Sequence, residues 1–121
     1  MWPFASKAKK KTMNLKWIND DYAVTSQLSL EAVKEAAEAG FKGIICTRPD
    51  GEDFNQPSYA AVAAEAKRLG LVAGHVPFAG QPSLEAANKF AAILDAMPTP
   101  VLGYCRSGNR AAVVHAMVKK A

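Results

Sequence analysis

Cys105 closes a short apolar run, Val101-Leu102-Gly103-Tyr104, and is followed by Gly108 three residues on and Arg110 five residues on. A free cysteine with its ordinary pKa of about 8.5 is mostly thiol at neutral pH, and only the thiolate is a strong nucleophile. The residues around Cys105 supply what lowers that value. An Ala/Val-rich segment begins at Asn109, so Cys105 stands at the positive end of a helix, where unpaired amides and the dipole favour an anion. Arg106 and Arg110 add positive charge, and Gly108 admits a backbone turn that points successive N–H groups inward. Arg110 offers a planar fork that matches two oxyanion oxygens. Ser107 or Asn109 can hydrogen-bond the thiolate or fix the loop. Cys105 to Arg110 therefore reads as a nucleophilic thiolate beside an anion-binding loop. A small buried cysteine among solvated arginines is the blander reading, and the spacing argues against it.

A second set of residues follows other apolar runs. Gly43-Ile44-Ile45-Cys46 is followed by Arg48-Pro49-Asp50-Gly51-Glu52-Asp53. Cys46 reads as a packed strand cysteine, with a resolving thiol for oxidised Cys105 as the chemical alternative. Arg48 could supply a second positive charge for a substrate anion, with Asp50 and Glu52 holding Arg48 or Arg110 in place. His75 is a candidate hydrogen-bond partner near the thiolate, although a lone histidine at a strand end is more often structural. His115 reads as packing or surface. Two distant histidines and two distant cysteines give no metal-ligand spacing, and no cofactor is expected.

The elements that must carry these residues alternate. Leu15 to Thr25 suggests short strand pieces around an Asn-Asp-Asp turn. Ser29 caps a helix over Leu30 to Ala39, Pro57 or Ser58 opens a second that ends at Gly70, and Ser83 caps a third. The inward faces expected are Val62, Ala66 and Leu69, then Leu84, Ala87, Phe90, Ala91, Ile93 and Leu94. The last helix, from about Asn109, is expected to turn Val113, Val114, Met117 and Val118 inward. Strands are expected over Phe41 to Thr47, Leu71 to Val76 and the run before Cys105. Such alternation implies an α/β domain of three layers, with a largely parallel central sheet and helices on both faces. Ligands of open parallel sheets bind beyond the carboxyl ends of the strands. Arg48, Pro77 and Cys105 each follow such an end, so three distant loops should meet on one rim.

At 121 residues the chain suits one domain. Five lysines fall before residue 17 with no acid, which leaves ten basic and eleven acidic residues in the remainder. The net +4 charge thus belongs to the N-terminal end, and no nucleic-acid surface is expected on the folded part. Residues 1–14 read as a solvated basic tail. Trp2, Phe4 and the lysines give only a weak case for contact with an anionic membrane surface. No apolar stretch approaches the roughly 20 residues of a membrane span, and the cysteine usage suits a cytoplasmic protein without disulfides.

The loop Cys105-Arg106-Ser107-Gly108-Asn109-Arg110 resembles the active loop of rhodanese-type sulfurtransferases and is similar to the cysteine loop of tyrosine phosphatase-like enzymes. Val24-Thr25-Ser26-Gln27-Leu28-Ser29, Ala39-Gly40-Phe41-Lys42, Arg48-Pro49-Asp50-Gly51-Glu52, His75-Val76-Pro77 and the cysteine loop occur in the order of a narrower bacterial family. Residues 15–121 resemble the phosphatase-like domain of the beta-lactamase hydrolase-like proteins, also labelled a sulfur transferase family. The resemblance implies a tyrosine phosphatase-like fold with Cys105 as nucleophile and Arg110 as its anion partner. Two departures bear on the reaction. Tyrosine phosphatase-like enzymes place five residues between cysteine and arginine and this chain places four, and Pro77-Phe78-Ala79-Gly80-Gln81-Pro82 carries no acid to protonate a leaving group. Asp50, Glu52 and Asp53 on the neighbouring loop are the remaining acids. The first expectation is therefore transfer of sulfane sulfur through a Cys105 persulfide to a thiol acceptor. Phosphoester hydrolysis through a phosphocysteine is the rival, and a non-catalytic anion-binding or redox-sensing module the third reading. In each case the partner is a small anion.

Overall fold

The computed structural model describes residues 13–119. Five short strands form one sheet: β1 (Lys16–Asn19), β2 (Tyr22–Thr25), β3 (Gly43–Cys46), β4 (Val72–His75) and β5 (Val101–Tyr104). Four helices join them: α1 (Leu30–Glu38), α2 (Tyr59–Arg68), α3 (Leu84–Asp95) and α4 (Asn109–Lys119). The sheet order is β1-β2-β5-β3-β4. β2, β5, β3 and β4 run parallel, and β1 folds back antiparallel on β2. The expected α/β architecture is thus present, and β1 is its antiparallel edge.

Each of the first three helices starts where a serine satisfies an orphan amide. The Oγ of Ser29 accepts from Ala32 N–H at 3.0 Å, that of Ser58 from Ala61 N–H at 3.1 Å, and that of Ser83 from Ala86 N–H at 3.0 Å. Side-chain alternation along the strands splits the core into two layers. Ala23, Ile44, Leu102 and Tyr104 face α1 and α2, packing with Val33, Val62 and Ala66. Tyr22, Val24, Ile45 and Val101 face α3 and α4, packing with Phe90, Ala111 and Val114.

Three expectations about burial are corrected. Leu84 occupies the first turn of α3, beyond the reach of the sheet, and is exposed. Met117 lies on the outer side of α4, while Val114 and His115 turn inward. Met13, expected in the tail, is buried in the α1/α2 layer. The rest of the basic tail, residues 1–12 with Trp2, Phe4 and their lysines, lies outside the described residues. Among the described residues no helix is long and apolar enough to cross a membrane.

The register sets the rim. Tyr104 pairs with Thr25 on one side and with Cys46 on the other, and Cys46 pairs with His75. Four parallel strands therefore end level, and the loops after them open on one edge of the sheet. Three were expected there. The loop after β2 joins them.

Candidate active site

Cys105 follows the last residue of β5 and precedes α4 by four positions, so the chain must turn sharply between strand and helix. Gly108 makes that turn with φ +96, and a Cβ there would lie 3.3 Å from the backbone of Thr25. Only glycine meets both demands without strain. The turn brings Gly108 N–H onto the Cys105 sulfur at 3.0 Å. The Cys105 residue has no exposed surface. Burial pushes its thiol pKa up, but the amides of Ala111, Ser107, Gly108 and Arg110 oppose this, and the net effect is a pKa below the ordinary cysteine value. The helix-end stabilisation expected from the sequence is therefore a set of specific N–H groups around Sγ. Ser107 fixes the loop, its Oγ accepting from Asn109 N–H at 3.2 Å. Asn109 opens α4.

Arg110 is tied to two other loops. Its Nη1 donates to Glu52 Oε2 at 2.8 Å and to the Phe78 carbonyl at 2.9 Å, and its Nη2 donates to Glu52 Oε1 at 2.8 Å. The Arg110 guanidinium pKa is raised, first by Glu52 and in smaller part by the Cys105 sulfur. Arg48, almost fully buried at 2% exposure, supports this arrangement from beneath. Its Nε donates to Glu52 at 2.9 Å, its Nη1 to Gln27 Oε1 at 2.8 Å and its Nη2 to Asp53 at 2.6 Å. Arg106 reaches Asp53 from the solvent side, with Nε to Oδ2 at 3.1 Å. The hydrogen bonds from Arg110, with those from Arg48, hold the Glu52 carboxyl down to about 2. Asp53 is likewise held below the usual carboxylate range, first by Arg48 and then by Arg106. A cleft of about 490 Å³ is lined by Glu52, Asp53, Ala79, Gly80 and the two arginines of the cysteine loop, Arg106 and Arg110.

The structure thus brings Cys105, Arg106, Ser107, Gly108, Asn109, Arg110, Arg48 and Glu52 together. Three candidates stand apart from the sulfur. Asp50 was expected beside an arginine, but its Oδ1 accepts from Tyr59 N–H at 2.8 Å and so serves the start of α2. His75 stacks on Tyr59 with ring centroids 4.2 Å apart and places Nε2 3.0 Å from the Arg48 carbonyl. Cys46 packs in the α1/α2 layer, its Sγ donating to the Arg48 carbonyl at 3.4 Å. Its thiol pKa is raised, first by burial. Cys46 ends β3 on the face it shares with its partner Tyr104, in the α1/α2 layer. Gln27 and the Phe78 carbonyl received no role from the sequence. Only the position of Gln27 just after an apolar run hinted at one. Among the described residues no group of three or more His, Cys, Asp or Glu side chains could hold a metal ion.

A level-ended parallel sheet with a cysteine loop feeding a helix, and an arginine of that helix lining the neighbouring cleft, defines the phosphatase-like α/β class. Residues 14–121 match the model of the beta-lactamase hydrolase-like protein, phosphatase-like domain, and the chain belongs to that family. A beta-lactamase hydrolase-like protein of Xylella fastidiosa strain Temecula1 is 36% identical over 101 residues, which cover 83% of this chain and 23% of that protein. One of Agrobacterium fabrum is 29% identical over the same shares. The chain therefore spans about a quarter of the length of these relatives. Among solved structures, a candidate phosphatase of Neisseria meningitidis Z2491 superposes with a TM-score of 0.76 at 28% identity, covering 84% of this chain and 72% of that one. The kinase-associated phosphatase shares the fold at a TM-score of 0.68 and 13% identity, covering 90% of this chain and 74% of its own. Family and fold together make this a phosphatase-like, hydrolase-type enzyme domain.

Proposed function

We propose that the domain hydrolyses a small phosphoester through a phosphocysteine on Cys105, using a leaving group that departs without protonation. The observation that carries this reading is the buried Cys105 sulfur with the Gly108 N–H on it at 3.0 Å, on the loop whose Arg110 guanidinium lines the neighbouring cleft. Attack by the thiolate forms the S–P bond and breaks the P–O bond. The leaving oxygen departs as an anion and takes its proton from solvent. Water then cleaves the S–P bond, which returns the thiolate and releases inorganic phosphate. Amides aimed at the equatorial oxygens, with the Arg110 fork, would stabilise the charge that develops there. The names carried by the relatives support this reading.

The limit on the leaving group comes from the carboxylates. Glu52 and Asp53 are held ionised by arginines, and Asp50 is spent on Tyr59. None is poised as a general acid. That same observation, with the four-residue spacing, favours a second reading. In it the thiolate attacks the sulfane sulfur of an anionic donor, the donor's S–S bond breaks to release an oxyanion such as sulfite, and the Cys105 persulfide passes its sulfur to a thiol acceptor. No proton is needed by that leaving group. Incubation with an aryl phosphate and, separately, with thiosulfate, followed by intact mass measurement, separates the two. Turnover of the aryl phosphate with a trapped phosphoryl adduct, both absent in Cys105→Ser, is expected for the hydrolase. A one-sulfur adduct lost in the same variant transfers the assignment to sulfur chemistry, and silence in both assays leaves the anion-binding module.

A further inference from the structure

Tyr22 opens β2 more than eighty residues before the cysteine loop and is buried to 1% exposure. Its ring crosses beneath β5 at Gly103, where a Cβ would overlap the phenol oxygen. A glycine inside a strand is unfavourable unless another group must approach closely. Here that group is the hydroxyl. The Tyr22 Oη donates to the carbonyl of Ala111 at 3.0 Å. One turn further along α4 the ring stacks on His115, with centroids 4.2 Å apart and planes 5° apart, and it meets Phe90 edge-on at 6.0 Å. Tyr22 thus holds α4 at two successive turns. The first belongs to Ala111, three residues beyond Gly108, whose N–H meets the Cys105 sulfur at 3.0 Å. Gly103 makes room both for the hydroxyl and for the ring carbon that bears it.

We propose that Tyr22 is a positioning residue for Cys105: through its bond to Ala111 it sets the first turn of α4 at the distance where the helix amides hold the sulfur. The inference rests on Cys105 working as a thiolate, and it deepens that reading. The phenol stays protonated and therefore a donor, because burial and then the nearby Cys105 charge push its pKa far up. Tyr22 from β2, and Cys46 further off on β3, are both held in their neutral forms, first by burial. That leaves Arg110, on the same first turn of α4, as the charged partner, and its guanidinium is held separately by Glu52 and the Phe78 carbonyl.

The test needs no substrate. The ultraviolet thiolate absorbance is titrated in the native chain, in Tyr22→Phe and in Phe90→Leu, each after subtraction of its Cys105→Ser counterpart. Tyr22→Phe is expected to raise the Cys105 midpoint by about half to one pH unit. Phe90→Leu, which loosens the same ring contact and keeps the hydroxyl, is expected to lower Tm and leave the midpoint in place. A Tyr22→Phe midpoint equal to the native one, or a shift of the same size in Phe90→Leu, overturns the inference. A native midpoint at the ordinary cysteine value instead overturns the thiolate reading, so the two failures are told apart.

Discussion

Arg110 donates from both Nη atoms to the two carboxylate oxygens of Glu52, 2.8 Å each, across 58 residues of sequence. The pair sits at one end of a ladder in which Arg48 bridges Glu52 and Asp53, and Arg106 closes on Asp53. The charged residues that line the cleft, Arg106 and Arg110 against Glu52 and Asp53, leave it with no net charge. Glu52 is thus a resident anion on the fork that, in the proposed reaction, meets the substrate oxyanion.

Neutralising that resident anion has two expected consequences. In Glu52→Gln, inorganic phosphate faces one negative charge fewer next to Arg110, worth about 1 kcal/mol at this range. Its affinity, read by calorimetry, is expected to rise about fivefold. The chain also becomes less stable, by about 1–3 kcal/mol, because Arg48 and Arg110 each lose a charged acceptor. The sign with pH follows from a folded-state pKa of about 2, below the ordinary glutamate value. The native contribution is complete above the ordinary range and fades as pH falls toward that folded value, so Glu52→Gln loses this part of the acid sensitivity of Tm.

Arg48 is the test of the ladder's support. Its fork serves Glu52, Gln27 and Asp53 at once, at 2.9, 2.8 and 2.6 Å, from a site with 2% exposure. Lysine keeps the charge but carries a single ammonium on a flexible stem, which cannot match three acceptors in one plane. Arg48→Lys is expected to cost about 2–4 kcal/mol in denaturant unfolding and to lower turnover about tenfold through misplaced Glu52 and Arg110. Native stability in Arg48→Lys would sink the supporting role.

The rate should follow one ionisation. The Cys105 pKa is lowered despite burial, and the reactive form is the thiolate, so kcat/KM rises with pH through that lowered value and then levels off. A general acid would add a falling limb at higher pH and make the profile bell-shaped. Glu52 and Asp53 are ionised far below neutrality, and no falling limb is expected between pH 6 and 9, a window of about three units on the reference scale. A bell-shaped profile for an aryl phosphate would identify an acid outside these loops.

How far the sequence carried these conclusions depends on distance along the chain. Ser29 and Ser83 were legible as caps, and the second helix start was narrowed to Pro57 or Ser58, because a cap is a local event, decided within three residues. The cysteine loop was legible for the same reason, since thiol, glycine and arginine lie within six positions. The partners of Arg110 were only half legible. Glu52 was named among its candidates, but Asp50, two residues earlier, had an equal claim until the loop's turn sent it to Tyr59. Gln27 and Tyr22 were hidden because their roles depend on sheet order: β2 lies beside β5, which no local pattern reveals. Leu84 and Met117 have apolar side chains at helical spacing, and only the offset of each helix from the sheet exposes them.

Gly108 carries the most demanding local geometry in the site. Its φ of +96 disfavours any residue with a Cβ, and that Cβ would also press on the Thr25 backbone at 3.3 Å. Neither partner can yield cheaply, because Thr25 ends a strand paired with β5. Gly108→Ala is therefore expected to lose about 1–3 kcal/mol from backbone strain. The larger effect falls on Cys105. Relief of the strain rotates the peptide whose N–H meets the sulfur at 3.0 Å, so the thiol midpoint should rise toward the ordinary value and turnover at neutral pH should fall at least tenfold. Turnover at a pH above the new midpoint should recover part of the loss, since the nucleophile is then restored. Equal activity at neutral pH, with an unshifted midpoint, would show that the Gly108 amide does not set the state of the sulfur.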